Sequence, residues 1–139
     1  MSTIFSQIID GEIPARVVYE DETTFAFLDA NPLAPGHTLV IPKEEYGRIE
    51  DLPEDVARDL FATVSRLTDA VQTAVDADGA TVGFNNGEVA GQEVDHVHCH
   101  IVPRFSDDDG GSLHTAFGGF ADLGDDELDE IAADIEHNV

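Results

Sequence analysis

Apolar residues recur along this chain at two periods. From Val56 they return every three or four positions, at Leu60, Val64, Leu67, Val71 and Val75, which gathers them on one stripe of a long α-helix. Leu52-Pro53-Glu54-Asp55 supplies its start, with proline at the first helical position and acids in the first turn, and Gly79 supplies a stop. A shorter helix is predicted over Ile4–Ile9, where Ile4/Phe5 and Ile8/Ile9 share a face, ended by Gly11 and Pro14. Short apolar runs bounded by turn residues predict strands over 17–20, 24–29, 37–41, 81–85 and 97–103. Asp21-Glu22 makes the first two a hairpin, two prolines fix the loop from Asn31 to Gly36, and Asn86 to Gly91 is a glycine-containing loop. From Asp125 a weaker helical pattern carries Leu128, Ile131 and Ile135. The sum is an α+β domain: a mostly antiparallel sheet of about five strands, one long helix and short ones.

Composition narrows the function classes. The 139 residues suit one domain, and a hydrophobic share of 42% is too high for a disordered acidic chain. Asp and Glu number 30 against 6 Lys and Arg, a net charge of -24. That excludes a groove built on phosphate neutralisation, so no nucleic acid is expected as partner, and it argues against an anionic membrane surface. The acids recur from Asp10 to Glu127 and beyond, and only one lysine remains, Lys43. An acidic tail would concentrate them. An even spread is the surface of a protein adapted to high salt, where at ~1 M the Debye length falls to ~3 Å and repulsion among carboxylates is screened. A single cysteine, Cys99, rules out a disulfide framework and reads as a small buried apolar residue. The N-terminus has neither a basic stretch nor a long apolar run, so a cytoplasmic protein is expected.

The chemistry concentrates in Asp95-His96-Val97-His98-Cys99-His100-Ile101-Val102-Pro103. In a strand His96, His98 and His100 project from one face at intervals of roughly 6.6 Å, while Val97, Cys99 and Ile101 face the core. Three imidazoles in a row admit three readings. They are solvated histidines, a metal site that still lacks a third ligand and an orienting shell, or a nucleophile with acid–base helpers. His114 and His137 lie apart and read as surface residues.

His96 to Val102 fits the pattern His-φ-His-φ-His-φ-φ, with φ apolar, at every position. Ile4-Phe5 followed by Ile8 to Ala15, Phe27-Leu28-Asp29 followed by Pro35 to Lys43, then Asn85 and Gly91-Gln92-Glu93-Val94 stand at matching spacings before it. Together they resemble the histidine triad (HIT) superfamily, closest to its nucleoside phosphoramidases and small hydrolases. The resemblance covers a core of about 4–104 within a single domain 1–139, leaving a tail of about 105–139. It implies a homodimer with strands and the long helix at the interface. It also implies hydrolysis at the α-phosphorus of purine nucleotide derivatives: phosphoramidates, adenylates or dinucleoside polyphosphates. His98 would attack to give a nucleotidyl–histidine intermediate, His100 and His37 would contact the phosphate or leaving group, and His96 would orient the nucleophile. Asp29 would accept ribose hydroxyls. Ile4, Phe5, Ile8, Phe27 and Leu28 would line the base pocket. Asn85, Gln92 and Glu93 would adjoin the phosphate, with backbone N–H groups of 91–94 as an anion-binding concavity and the Glu93 carboxylate turned away.

The chain departs from the family in one respect. Microbial relatives that hold a structural zinc carry two cysteines and a histidine where Thr3, Ser6 and Glu45 stand here, so no metal and no cofactor are expected. The tail departs most, and Leu113, Phe117 and Phe120 are its candidates for packing on a partner or on the site. Two other functions fit the same residues: a nucleotide-binding scaffold or sensor with little turnover, and a nucleotidyl transferase.

Overall fold

The computed structural model describes residues 3–139. Its centre is a five-stranded antiparallel sheet in the order β1-β2-β3-β5-β4, formed by β1 (Val17–Glu20), β2 (Thr24–Leu28), β3 (Thr38–Pro42), β4 (Gly79–Gly83) and β5 (Cys99–Arg104). Side-chain alternation divides the sheet into two faces. Ala26, Val40, Cys99 and Ile101 pack on the long helix α2 (Glu54–Val75), against Leu60, Val64, Leu67 and Val71. Phe25, Phe27, Leu39 and Ile41 point the other way and meet Phe5 and Ile8 of the short helix α1 (Ile4–Ile9). The candidate site lies on this second face.

Element ends differ from the sequence reading for local reasons. Helix α2 stops at Val75 because Asp76 takes the left-handed conformation, φ 54° and ψ 46°; aspartate tolerates that region better than most residues. Gly79 is therefore not a helix stop but the first residue of β4, paired with Arg104. Strand β3 includes Pro42, which is tolerated as a terminal strand residue because it has no N–H to place in the ladder. Strand β5 begins at Cys99 rather than Val97. The residues of the triad upstream of it make bonds of their own, described below.

The end of the chain lies apart from this core. The third helix, α3 (Asp125–Asn138), buries no residue, and Phe117 and Phe120 are 70% and 94% exposed. His114 and His137 are exposed as expected. At the sheet edge, Val82 on β4 and Phe61 on α2 are also exposed, and the Phe61 ring lies 5.6 Å from that of Phe84. Among the described residues no helix is long and apolar enough to cross a membrane.

Candidate active site

The β3–β5 ladder ends at the Val40–Cys99 pair, and the chain leading into β5 holds itself in place by other means. Val97 N–H donates to Tyr46 O at 2.7 Å. His96 Nε2 donates to Pro42 O at 2.8 Å, and His98 Nδ1 donates to the carbonyl of His96 at 2.8 Å. Carbonyls only accept, so both ring nitrogens must carry hydrogen. In the neutral rings this fixes the opposite nitrogens: His96 Nδ1 and His98 Nε2 each keep a lone pair. His37 Nδ1 accepts from Leu33 N–H at 3.0 Å, so its Nε2–H donates to His100 Nδ1, also at 3.0 Å. The remaining nitrogen, His100 Nε2, then carries hydrogen, and it is buried without a hydrogen-bond partner among the described residues.

The four rings thus settle into one consistent set of tautomers. A free lone pair on His98 stands beside an unused donor on His100, with the two ring centroids 5.1 Å apart. Burial favours the neutral form of His37, His96 and His100. It is the leading cause that lowers the pKa of His37 and of His96, and with help from His98 and His37 it pushes His100 down to about 4. Asp29, whose Oδ2 lies 3.6 Å from His37 Nε2, opposes the shift at His37 and His100 without reversing it.

His98 and His100 form part of the lining of a cavity of about 490 Å³. Ile4, Phe5, Ile8, Phe27 and Leu39 give it apolar walls, and Asp29, Asn85 and Glu93 are also among its residues. The Phe5 ring stands edge-on to His98, with centroids 5.0 Å apart at 79°. Asp29 Oδ1 accepts Asn31 N–H at 2.9 Å, which holds the carboxylate at the strand end.

Not every residue named from the sequence reaches this cavity. His96 and His37 are buried behind it, and Leu28, although half-buried, is outside the lining. Gln92 ties two loops together instead. Its side chain accepts Gly87 N–H at 2.7 Å and donates to Gly47 O and Val94 O at 2.7 and 2.9 Å. The N–H groups of Gly91 and Gln92 are also bonded, to Glu88 O and Gly87 O. The expected amide concavity shrinks to Glu93 and Val94, whose N–H groups have no partner among the described residues. Glu93 borders both this cavity and a neighbouring one of about 740 Å³ that also touches Arg48, Glu88 and Asp95. Leu39, Ala30 and Asn31 also line the cavity and are not among the site residues named from the sequence. For Leu39 the sequence holds a signal, since strand alternation puts it on the same face as His37, and the structure pairs it with both Phe27 and His100.

Thr3 was named from the sequence only as a lost metal ligand, yet it touches the triad. Its Oγ1 lies 3.1 Å from His96 Nδ1 and 3.3 Å from Ser6 Oγ, and Ser6 Oγ in turn donates to Glu45. Two hydroxyls, a carboxylate and an imidazole do not make a structural zinc set, which calls for thiolates and imidazoles. Among the described residues, only Asp29, His37 and His100 bring three metal-competent atoms within 4.8 Å of one another. The hydrogen bond between the two rings accounts for most of that closeness.

The HIT domain family matches residues 10–107. An uncharacterized HIT-like protein of Methanocaldococcus jannaschii is 44% identical over 133 residues, 96% of this chain and 98% of that one. An adenosine 5'-monophosphoramidase of Candida albicans is 38% identical over 107 residues, 74% of this chain and 70% of its own. The crystal structure of a HIT family member from Bacillus subtilis superposes with a TM-score of 0.86 at 34% identity, covering 100% of this chain and 98% of the other. The histidine cluster, the cavity it borders and these matches agree: the chain belongs to the HIT domain family.

Proposed function

We propose that this protein is a hydrolase acting at the α-phosphorus of purine nucleotide derivatives, through a nucleotidyl intermediate on His98. The observation that carries the reading is the tautomer set. One imidazole nitrogen keeps its lone pair beside a second imidazole whose N–H is unused. Several relatives are named adenosine 5'-monophosphoramidases, which supports an adenosine phosphoramidate as substrate. The base lies between Phe5, Ile8 and Phe27, and Asp29 takes the ribose hydroxyls. The phosphate meets the Glu93 and Val94 N–H groups.

His98 Nε2 forms a bond to phosphorus as the bond to the leaving nitrogen breaks, its electron pair departing with that nitrogen. His100 Nε2–H keeps its hydrogen and hydrogen-bonds to the departing atom, His37 holding His100 in that tautomer, and the proton that leaves with the amine comes from water. Water then attacks phosphorus and releases His98. Over both steps water supplies hydroxyl to the nucleotide and hydrogen to the amine. We also infer a homodimer formed across the free β4 edge with Phe61 and Val82, in a high-salt cytosol, with residues 1–139 as one domain.

The test is hydrolysis of an adenosine phosphoramidate in molar KCl, with mass spectrometry of the alkali-quenched reaction, since the P–N bond of the adduct is acid-labile. Wild type should turn over and carry an adenylyl adduct on His98. His98→Asn should keep nucleotide binding and lose on the order of 10³-fold or more in kcat. Binding without turnover by wild type would instead identify a nucleotide-binding module.

A further inference from the structure

We propose that Thr3, Ser6 and Glu45 form a hydrogen-bonded clip that positions the nucleophile from outside the cavity, with Thr3 fixing the ring of His96. The proposal rests on the reading of His98 as nucleophile. None of the three residues touches the cavity described above, so none is a catalytic residue.

Glu45 lies in the segment after β3 and reaches across to the opposite end of α1. Its Oε1 accepts Thr3 N–H at 2.9 Å and also the hydroxyl of Ser6. Thr3 is the N-cap of α1, its Oγ1 accepting Ser6 N–H at 3.2 Å. Because the Ser6 hydroxyl hydrogen goes to Glu45, the Thr3 hydroxyl hydrogen has two possible acceptors, Ser6 Oγ and His96 Nδ1. The His96 ring decides between them. Its Nε2–H is held by Pro42 O, so Nδ1 is a lone pair, and His96 is fully buried. Among the described residues Thr3 Oγ1–H is the only donor within reach of that lone pair. Without it a buried acceptor is left unsatisfied, the costly half of a broken hydrogen bond.

Two routes lead from the clip to His98. The first is the backbone: the carbonyl of His96 accepts His98 Nδ1–H, so the seating of His96 sets which nitrogen of His98 is free. The second is α1 itself. Six residues are too few for a helix that stands on its own propensity. Phe5, two residues beyond Thr3, lies against both His98 and His96, at 5.0 and 5.8 Å between ring centroids. Anchoring Thr3 and Ser6 to Glu45 therefore seats a wall of the cavity against the nucleophile. The Glu45 carboxyl is held below its ordinary range, chiefly by the Ser6 hydroxyl and then by Thr3 N–H, as expected of a carboxylate that accepts both.

The test compares Thr3→Val with Thr3→Ser, and Glu45→Ala with Glu45→Gln, in molar KCl. Imidazole nitrogen NMR reports the ring states, and kcat and KM are measured on an adenosine phosphoramidate. Thr3→Val should move the His96 Nδ1 resonance toward an unbonded lone pair and lower kcat by about 10-fold to 100-fold, with KM changed less. Thr3→Ser keeps the hydroxyl and Glu45→Gln keeps the accepting oxygen, so both should behave like wild type, while Glu45→Ala should lose activity. An unchanged His96 nitrogen resonance in Thr3→Val overturns the proposal, as does equal loss of kcat in Thr3→Ser. If Thr3→Val does not fold, the Glu45 pair and the Thr3→Ser spectrum decide. If wild type itself shows no turnover, the proposed function fails while the NMR comparison still judges the clip.

Discussion

His100 ties the acid stability of the protein to its site. Folded, this ring takes a proton only near pH 4, because burial disfavours its charged form and His98 and His37 reinforce that. In the unfolded chain an imidazole protonates near pH ~6.5. Between those values the unfolded chain binds a proton that the folded chain refuses, so stability falls as pH drops below about 6.5. The loss from this ring is complete once pH passes below its folded value of about 4. At about 1.4 kcal/mol per unit, the gap amounts to roughly 3 kcal/mol. His37 and His96 shift in the same direction and add to the slope. The structure also says what gives way. A protonated His100 carries hydrogen on Nδ1, which then faces His37 Nε2–H across the present 3.0 Å; two donors cannot share that distance, so the pair must part.

The assay is urea unfolding of wild type and His100→Asn between about pH 7.5 and pH 4, in molar KCl to mute the surface carboxylates. Asparagine does not titrate, so the stability difference between the two proteins isolates the ring. Wild type should lose roughly 3 kcal/mol relative to the variant over that range. A difference that stays flat, or an imidazole NMR titration that puts His100 between pH 6 and 7, would refute the reasoning.

Three further outcomes are expected. The net charge of -24 should make the melting temperature, followed by calorimetry, climb steeply from dilute buffer to molar KCl; an unchanged value would count against high-salt adaptation. Gly36→Ala should cost about 1–3 kcal/mol by urea unfolding, because Gly36 has φ +88° and a Cβ there would meet Val75 Cγ1 at 3.0 Å and Pro103 Cγ at 3.2 Å. The Cys99 thiol, fully buried and pushed up to about 12 by that burial, should resist a colorimetric thiol reagent in the native protein and react at once in urea.

What could be read from the sequence was what a fixed period dictates. The stripe of α2 was legible because Leu60, Val64, Leu67 and Val71 are buried for the reason their spacing suggests. The alternation of β5 was legible too, with Cys99, Ile101 and Pro103 turned to the core. Period says nothing about bonds that side chains make to backbone. For that reason alternation extends the strand through His98, where the rings bond carbonyls and the ladder has already stopped. The same gap hides Asp76 as the helix stop and assigns Gln92 to the phosphate when its amide joins two loops. The apolar stripe of α3, Leu128, Ile131 and Ile135, was visible, but no period tells whether a stripe is covered, and this one is not.

The charge of the whole chain and a cavity lined, among the described residues, by no lysine or arginine point the same way. Two cations that follow site histidines in sequence are engaged elsewhere: Lys43, shortly after His37, pairs with Glu20 at 2.7 Å, and Arg104, shortly after His100, holds Asp108 through two nitrogens at 2.9 Å. Neither lines the cavity. Under the proposed function, a nucleotide phosphate there would meet N–H donors that carry no net charge: His100 Nε2 and the Glu93 and Val94 amides. Attraction between full charges at exposed positions fades within ~3 Å at ~1 M salt, so a lysine or arginine clamp would be weakest where such a surface is most stable. A hydrogen bond from a buried neutral donor depends on contact and on the exclusion of water, and the ionic atmosphere leaves it largely intact. On the proposed function, salt that relieves repulsion among the surface carboxylates would also remove the long-range field opposing an anionic substrate, without weakening the neutral donors proposed to hold its phosphate.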